Sequence, residues 1–185
     1  MIDDLIQDAV RRMDKSVETT QHEFNSIRTG RASAALLDHV AVDYYGTATP
    51  LNQLSTINVP EPRMLTVQPF DPSSIKEIER AIQESELGLT PSNDGKVIRL
   101  PIPQLTEERR KDLVKIVRQI AEDGKVAIRN VRRDADKHLK ELKTKGDVGE
   151  DDERRAEERV QKLTDEHTSK IDDLLRRKET EITEV

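Results

Sequence analysis

The apolar residues of this chain keep a helical beat as far as Ile27, lose it beyond Gly30, and recover it only at Thr106-Glu107-Glu108-Arg109-Arg110. Ile6, Val10, Met13, Val17, Thr20, Phe24 and Ile27 stand alternately four and three residues apart, which puts them on one stripe of a helix. The same alternation runs through Leu113, Val117, Ile120, Gly124, Ile128, Val131, Ala135, His138 and Leu142, with one extra step of four after Gly124. A third stripe uses Ala156, Val160, Leu163, His167, Ile171, Leu175 and Ile182, with Lys178 as its polar interruption. Helices of this reach would be roughly 45–60 Å long. Each stripe is too narrow to hold a helix alone, so the three must bury their stripes against one another in an elongated antiparallel bundle. A helical architecture that is broken and then resumed is one domain inserted into another. The spacing therefore predicts a discontinuous bundle over 1–30 and 106–185, an inserted domain over 31–105, and a hinge near 30–31 and 103–105.

Composition narrows the alternatives. Charged residues make up 37% of the 185 and hydrophobic ones 34%, and only 2% are aromatic, so any core is aliphatic and elongated. No apolar run is long enough to cross a bilayer, and Met1-Ile2-Asp3-Asp4 is too acidic to begin a signal peptide. Cysteine is absent, which removes disulfides, thiol catalysis and cysteine-ligated metals. The expectation is a soluble cytoplasmic protein with no membrane partner.

The insert has different chemistry. Val40-Ala41-Val42-Asp43-Tyr44-Tyr45 carries the β-branched and aromatic enrichment of a strand, and Gly46 ends it in a turn. Leu65-Thr66-Val67-Gln68-Pro69-Phe70 and Lys96-Val97-Ile98-Arg99-Leu100 predict two more strands. Between them Asp71 can cap a short helix, Pro72 suits its first turn, and Ile75, Ile78 and Ile82 make its buried face. Ser92-Asn93-Asp94-Gly95 is a turn. The fold class is α+β, a three-helix bundle carrying a small β/α/β insert. Pro60, Pro62, Pro69, Pro101 and Pro103 confine its strands to edges or end them. Pro101 and Pro103 also stiffen the return crossing, while Gly30 loosens the outgoing one.

Catalytic patterns are missing. Gly95-Lys96 and Gly124-Lys125 lie in no phosphate-binding loop pattern, and His22, His39, His138 and His167 lack metal-ligand spacing. His138 and His167 fall on apolar stripes, as core histidines do. Carboxylate pairs such as Asp151-Asp152 and Glu157-Glu158 belong to a solvated face. No catalytic residue, metal site or cofactor is expected.

Charge placement says more than the net −6. Residues 109–145 hold thirteen Lys/Arg against six Asp/Glu, a local +7, and residues 146–185 hold eight against fourteen, a local −6. On a helical wheel Lys111, Arg118, Lys125, Arg129, Arg132, Lys140 and Lys143 share one face rotated from the apolar stripe, with Arg133 beside them. Such a row can track a phosphate backbone, with arginine forks taking bidentate contacts. The same cations can instead pair with the acidic third helix, the commoner fate of charge runs on helices. Two features oppose pairing: the arginines grouped in Arg129-Asn130-Val131-Arg132-Arg133, and the placement of the row away from the bundle seam. A chain of this balance presents one positive surface to RNA and keeps the rest unattractive to it.

The ordered set Ser26-Ile27-Arg28-Thr29-Gly30-Arg31-Ala32, Leu36-Leu37-Asp38, Tyr44-Tyr45-Gly46, Pro50-Leu51, Thr106-Glu107-Glu108-Arg109-Arg110 and Arg129-Asn130-Val131-Arg132-Arg133 closely resembles the ribosome recycling factor family. The resemblance covers essentially the whole chain. It implies an L-shaped monomer with the outline of a transfer RNA, the bundle as one arm and the insert as the other. It further implies a protein without a catalytic centre that binds the post-termination ribosome across the A and P sites. With elongation factor G and GTP hydrolysis on that partner, such proteins split the subunits and release messenger and deacylated transfer RNA.

Carried over by position, Arg129 and Arg132 match the family's bundle arginines that face large-subunit ribosomal RNA, and Arg133, Lys125 and Arg118 join them as candidates. Arg28, Gly30, Arg31, Pro103 and Arg110 fall at or near the hinge, and Tyr44 and Tyr45 are candidates for docking the partner GTPase. The residues leave alternatives open. Arg110 lies near the apolar edge and suits a brace, Arg28 and Arg31 equally suit helix-end cations, and strand packing accounts for at least one tyrosine. Without the resemblance, a non-catalytic coiled-coil adaptor or chaperone-like protein fits the bundle about as well. Salt separates the two, since phosphate contacts weaken steeply as salt rises and an apolar protein interface does not.

Overall fold

The computed structural model describes residues 1–184. In chain order the elements are α1 (Ile2–Asn25), β1 (Ala41–Tyr44), β2 (Thr47–Pro50), α2 (Leu51–Leu54), β3 (Ser55–Glu61), β4 (Met64–Pro69), α3 (Ile75–Glu84), β5 (Ser92–Asn93), β6 (Ile98–Pro101), α4 (Glu107–Thr144) and α5 (Glu150–Thr183). They form two compact units, Met1–Arg28 with Glu107–Val185, and Thr29–Thr106.

The first unit is the three-helix bundle, and its cross-helix pairs set its directions. Asp3 meets Arg159 at 3.4 Å and Asp14 meets His167 at 2.7 Å, so α1 runs parallel to α5. Arg12 meets Asp134 at 2.9 Å, and Thr20 lies beside Gly124, so α1 runs antiparallel to α4. Arg118 meets Glu179 at 2.7 Å and Lys143 meets Glu153 at 3.7 Å, so α4 runs antiparallel to α5. Ile6, Met13, Phe24, Val117, Ile128, Val160 and Ile171 are among the buried residues of the seam. Side chains of α1 and α5 press on α4 at Gly124. A Cβ there would stand 2.3 Å from the Thr20 hydroxyl and 2.9 Å from the Ile171 methyl, so any larger residue must displace one of these side chains, which favours glycine despite its cost in a helix interior.

The register of α4 corrects the expected stripe. Ala121 and Leu139 are buried where Ile120 and His138 were expected, His138 is exposed, and Ile120 and Leu142 are only half-buried. A helix packed against two neighbours buries a broad face, and that face takes in Ala121 and Leu139 beside the expected stripe. His167 is buried as expected. Its Nδ1 lies 2.7 Å from the Leu163 carbonyl oxygen and its Nε2 2.7 Å from the Asp14 carboxylate. The polar interruption of the third stripe, Lys178, lays its stem along the seam and pairs with Glu181 at 3.3 Å.

The second unit holds a β1–β2 hairpin and a four-stranded antiparallel sheet in the order β3-β4-β6-β5. Its core gathers Leu37, Val42, Leu51, Leu65, Val67, Ile78, Ile82, Ile98 and Leu100, all essentially inaccessible. The Asp71 carboxylate accepts the Ser73 N–H at 3.0 Å, and Pro72 opens a 3-10 turn that leads into α3, whose Ile75, Ile78 and Ile82 face the core as the spacing predicts. Ser92 and Asn93 pair with β6, which begins at Ile98, so the turn expected over 92–95 moves to 94–97, where the Asp94 N–H donates to the Val97 carbonyl at 3.2 Å. Three further elements, β2, α2 and β3, have no counterpart in the periodicity. β3 is an edge strand, exposed over most of its length, and Pro60 sits where its register slips between Asn58 and Glu61.

Candidate functional site

Three places hold the residues singled out by the sequence, and the first is the cationic side of α4. The Lys125 ammonium lies 2.9 Å from Asp172, and its side chain is only 20% exposed. Arg118 donates to Glu179 at 2.7 Å, Lys143 approaches Glu153 at 3.7 Å, and Arg132 donates to the Gln161 amide oxygen at 3.4 Å. All four partners belong to α5. The row therefore lies along the α4–α5 seam, which corrects the expectation that it stands clear of the bundle. The cause is reach: long cationic side chains that flank the buried stripe extend to the acidic residues of the neighbouring helix.

The members of the row differ in what holds them. Arg129 pairs within its own helix, with Glu122 at 3.2 Å. Arg133, Lys137 and Lys140 are exposed on the outer flank, and no ion pair engages them among the described residues. They line an open groove together with Asp136, Arg154 and Glu157. Burial pushes the Asp136 carboxyl up, while Arg132 and Lys140 draw it the other way. At the start of α5 one oxygen of Glu153 is buried without a hydrogen bond, in the helix turn where the macrodipole favours an anion.

The second place is the pair of crossings. Gly30 has φ +76°, and a Cβ there would stand 3.1 Å from Leu105 Cγ, so the outgoing and returning legs pass in contact. Both legs are tied to one turn. The Ala32 N–H donates to the Pro62 carbonyl at 2.7 Å, and the Ile102 N–H donates to the Arg63 carbonyl at 2.8 Å. Arg28 and Arg31 are exposed, and each engages a neighbour. Pro103 is exposed, and Arg110 is half-buried on the apolar edge of α4.

The third place is the β1–β2 hairpin. Tyr45 and Gly46 have φ +51° and +82°, both in the left-handed region, and connect Tyr44 to its register partner Thr47 in a two-residue turn. The Tyr44 and Tyr45 rings meet edge to face with centroids 4.6 Å apart. Tyr44 is half-buried, and its hydroxyl donates to Asp71 at 3.3 Å. Burial and the neighbouring Asp71 charge push that hydroxyl above the ordinary phenol range. Hydrogen bonds from Ser73 hold the Asp71 carboxyl below the usual carboxylate range. Tyr45 is 81% exposed and Phe70, next to Asp71, is 66% exposed. Phe70 was missed as a surface residue although alternation places it with Thr66 and Gln68, opposite the buried Leu65, Val67 and Pro69.

Among the described residues no group of His, Asp and Glu is placed to hold a metal ion, and no helix is long and apolar enough to cross a membrane. Fold and surfaces define a two-unit binding protein that offers a cationic helix flank and an exposed aromatic corner. The family model for ribosome recycling factor matches residues 20–183. The ribosome-recycling factor of Geobacillus kaustophilus is 56% identical over 185 residues, covering 100% of both chains. A solution structure of the ribosome recycling factor matches with TM-score 0.77 at 43% identity, over 100% of this chain and 98% of that one. The T. thermophilus recycling factor, placed with E. coli elongation factor G on the E. coli post-termination complex, matches with TM-score 0.65 at 49% identity, over 98% of each chain. This chain belongs to the ribosome recycling factor family.

Proposed function

We propose that this chain binds the post-termination ribosome in the cytoplasm and, with elongation factor G and GTP hydrolysis by that partner, splits the subunits and releases messenger and deacylated transfer RNA. The observation that carries this reading is its likeness, over nearly the full length, to the recycling factor placed with elongation factor G on the post-termination complex. The chain acts as a monomer and does no chemistry of its own. Arg129, Arg132 and Arg133 contact large-subunit ribosomal RNA, while Arg118 and Lys125 brace α4 against α5. Tyr44 and Tyr45 meet the GTPase. A splitting assay on purified post-termination ribosomes, with and without elongation factor G, tests the function. Splitting is expected only with both factors, and splitting by elongation factor G alone to the same extent would refute it.

The crossings at 28–31 and 103–106 serve as the hinge in this reading, with Arg28, Gly30, Arg31, Pro103 and Arg110 around it. Proline cannot adopt φ +76°, so Gly30→Pro forces the outgoing leg into another path while leaving both cores untouched. The expected outcome is loss of most of the splitting rate with ribosome affinity retained. Measuring both in one variant checks it, and equal loss of both would mean that the junction carries binding and not motion.

A further inference from the structure

We propose that Tyr45 and Phe70, joined through Tyr44 and Asp71, form a docking corner for an arginine- or lysine-bearing protein surface. The inference rests on the reading that Tyr44 and Tyr45 meet elongation factor G, and it adds Phe70 and the chemistry of the surface they would meet.

The first observation is the backbone. A two-residue turn of this hand takes Asn-Gly or Asp-Gly at no steric cost, yet this one places Tyr45 at φ +51°. The strained residue is the one whose ring is 81% exposed. A left-handed backbone that holds an aromatic ring out in solvent points to a role for that ring. The second is continuity. The Tyr45 ring meets the Tyr44 ring, the Tyr44 hydroxyl bonds to Asp71, and Asp71 is joined to Phe70, which is itself 66% exposed. Three of the chain's four phenylalanine and tyrosine residues thus share one corner, in a protein that is 2% aromatic.

The third observation is charge, and it selects the occupant. Exposed aromatic rings can stack on single-stranded RNA, but such sites sit in a positively charged groove. Here the stretch between Arg31 and Lys76 holds one lysine or arginine, Arg63, in the turn at the far end of β4, roughly 20 Å from Phe70 at about 3.3 Å per residue. Near Phe70 the β4–β6 register brings up a single further cation, Lys96, two residues beyond the Val67–Ile98 pair, which is no positively charged groove. Lys76 lies beyond the capping turn, on α3, and no ion pair joins it to Asp71 among the described residues. Asp71 is held ionised by its Ser73 hydrogen bonds, and Asp43, which accepts the Gly46 N–H at 3.0 Å, adds a second carboxylate at the turn. Aromatic faces flanked by fixed carboxylates suit a guanidinium or ammonium from a protein, which gains a cation–π contact and an ion pair together.

Two experiments test this. In the full chain, a photo-crosslinking phenylalanine analogue is placed at position 70 or at position 45 and irradiated on purified post-termination ribosomes with elongation factor G. Peptides carrying arginine or lysine are expected from both positions, from elongation factor G. A basic peptide of a ribosomal protein from both positions would support the corner's chemistry and refute the choice of GTPase. Crosslinks to ribosomal RNA, to peptides without a basic residue, or from position 45 alone would overturn the inference. In the second experiment Tyr45→Asn installs the residue the turn prefers. Its melting temperature should stay the same or rise while splitting falls about tenfold, the loss expected of one aromatic anchor. Splitting at the parental rate would overturn the inference. Phe70→Ala should give a loss of the same order, and no loss would remove Phe70 from the corner.

Discussion

The bundle and the insert hold their surface residues by opposite means. In the bundle the long cations are positioned by other charges, Lys125 by Asp172, Arg118 by Glu179 and Arg129 by Glu122. The exposed pair of Arg129 with Glu122 is worth about 1 kcal/mol or less, so a phosphate can exchange for that carboxylate at small cost. In the insert the surface residues are presented by the backbone: Tyr45 by a left-handed turn, Phe70 by the end of β4, Asp71 by its capping bonds. One region therefore offers side chains that can be bargained away from their partners, and the other offers groups already in place. That contrast suits a polyanion on one region and a shaped protein surface on the other.

The largest expected effect would break the bundle and leave the insert intact. Val131 is 5% exposed, one residue from Arg132, and Val131→Asp buries an unpaired carboxylate at a cost of about 3–5 kcal/mol. The helical circular dichroism signal should lose its cooperative melt while amide resonances of the insert stay dispersed. An unmoved melting curve would place Val131 outside the seam. Next in size is Gly124→Ala, which sets a methyl against Thr20 and Ile171 and should destabilise by about 1–3 kcal/mol in urea titration. Adding Thr20→Ala should recover part of the loss, because it removes the closest atom.

Arg132→Ala sharpens the comparison on the binding side. Arg132 donates to Gln161 at 3.4 Å and acts on Asp136 through charge alone, so stability should barely move, while affinity for the large subunit should fall by about 1–3 kcal/mol. Lys125→Ala should do the reverse, with about 1 kcal/mol lost in stability and affinity nearly unchanged. Equal affinity losses would mean that the α4–α5 pairs open on the ribosome.

The smallest effect falls in the insert. Asp94 accepts the N–H groups of Val97 and Lys96 and the Arg99 guanidinium, which together hold its carboxyl down to about 2. Because the folded value is depressed, its stabilising contribution is present above about pH 4 and is lost as pH falls from about 4 to about 2. Asp94→Asn should shrink the difference in melting temperature between about pH 7 and about pH 3. An undiminished difference would assign the acid sensitivity to other carboxylates.

Much of this was legible in the residues. Ile6, Met13, Phe24, Ile128, Val160 and Ile171 announce three helices because a helix face repeats within a few residues, and Asp71-Pro72 announces the start of α3 because a cap acts within one turn. The face of α4 was not legible to the needed precision. A step of three or of four is equally helical, and choosing Ile120 over Ala121 swings the face by one residue. Edge strand β3 was missed because strand pairing on an exposed edge leaves no apolar pattern. Phe70 was legible and passed over, since alternation sets it on the side of Thr66 and Gln68 and away from Leu65 and Val67.

The residues by themselves determined three long helices, the interruption after Ile27, the charge of each helix and the cation-poor stretch between Arg31 and Lys76, since all of these are properties of neighbours along the chain. Only the tertiary structure decided that Lys125 and Arg118 spend their charge on α5, that both legs of the insert hang on Pro62 and Arg63, and that Tyr45 stands in solvent beside Tyr44. The ion pairs and the ties to Pro62 and Arg63 join segments far apart in sequence, and the exposure of Tyr45 follows from a backbone angle that the residue type alone does not select.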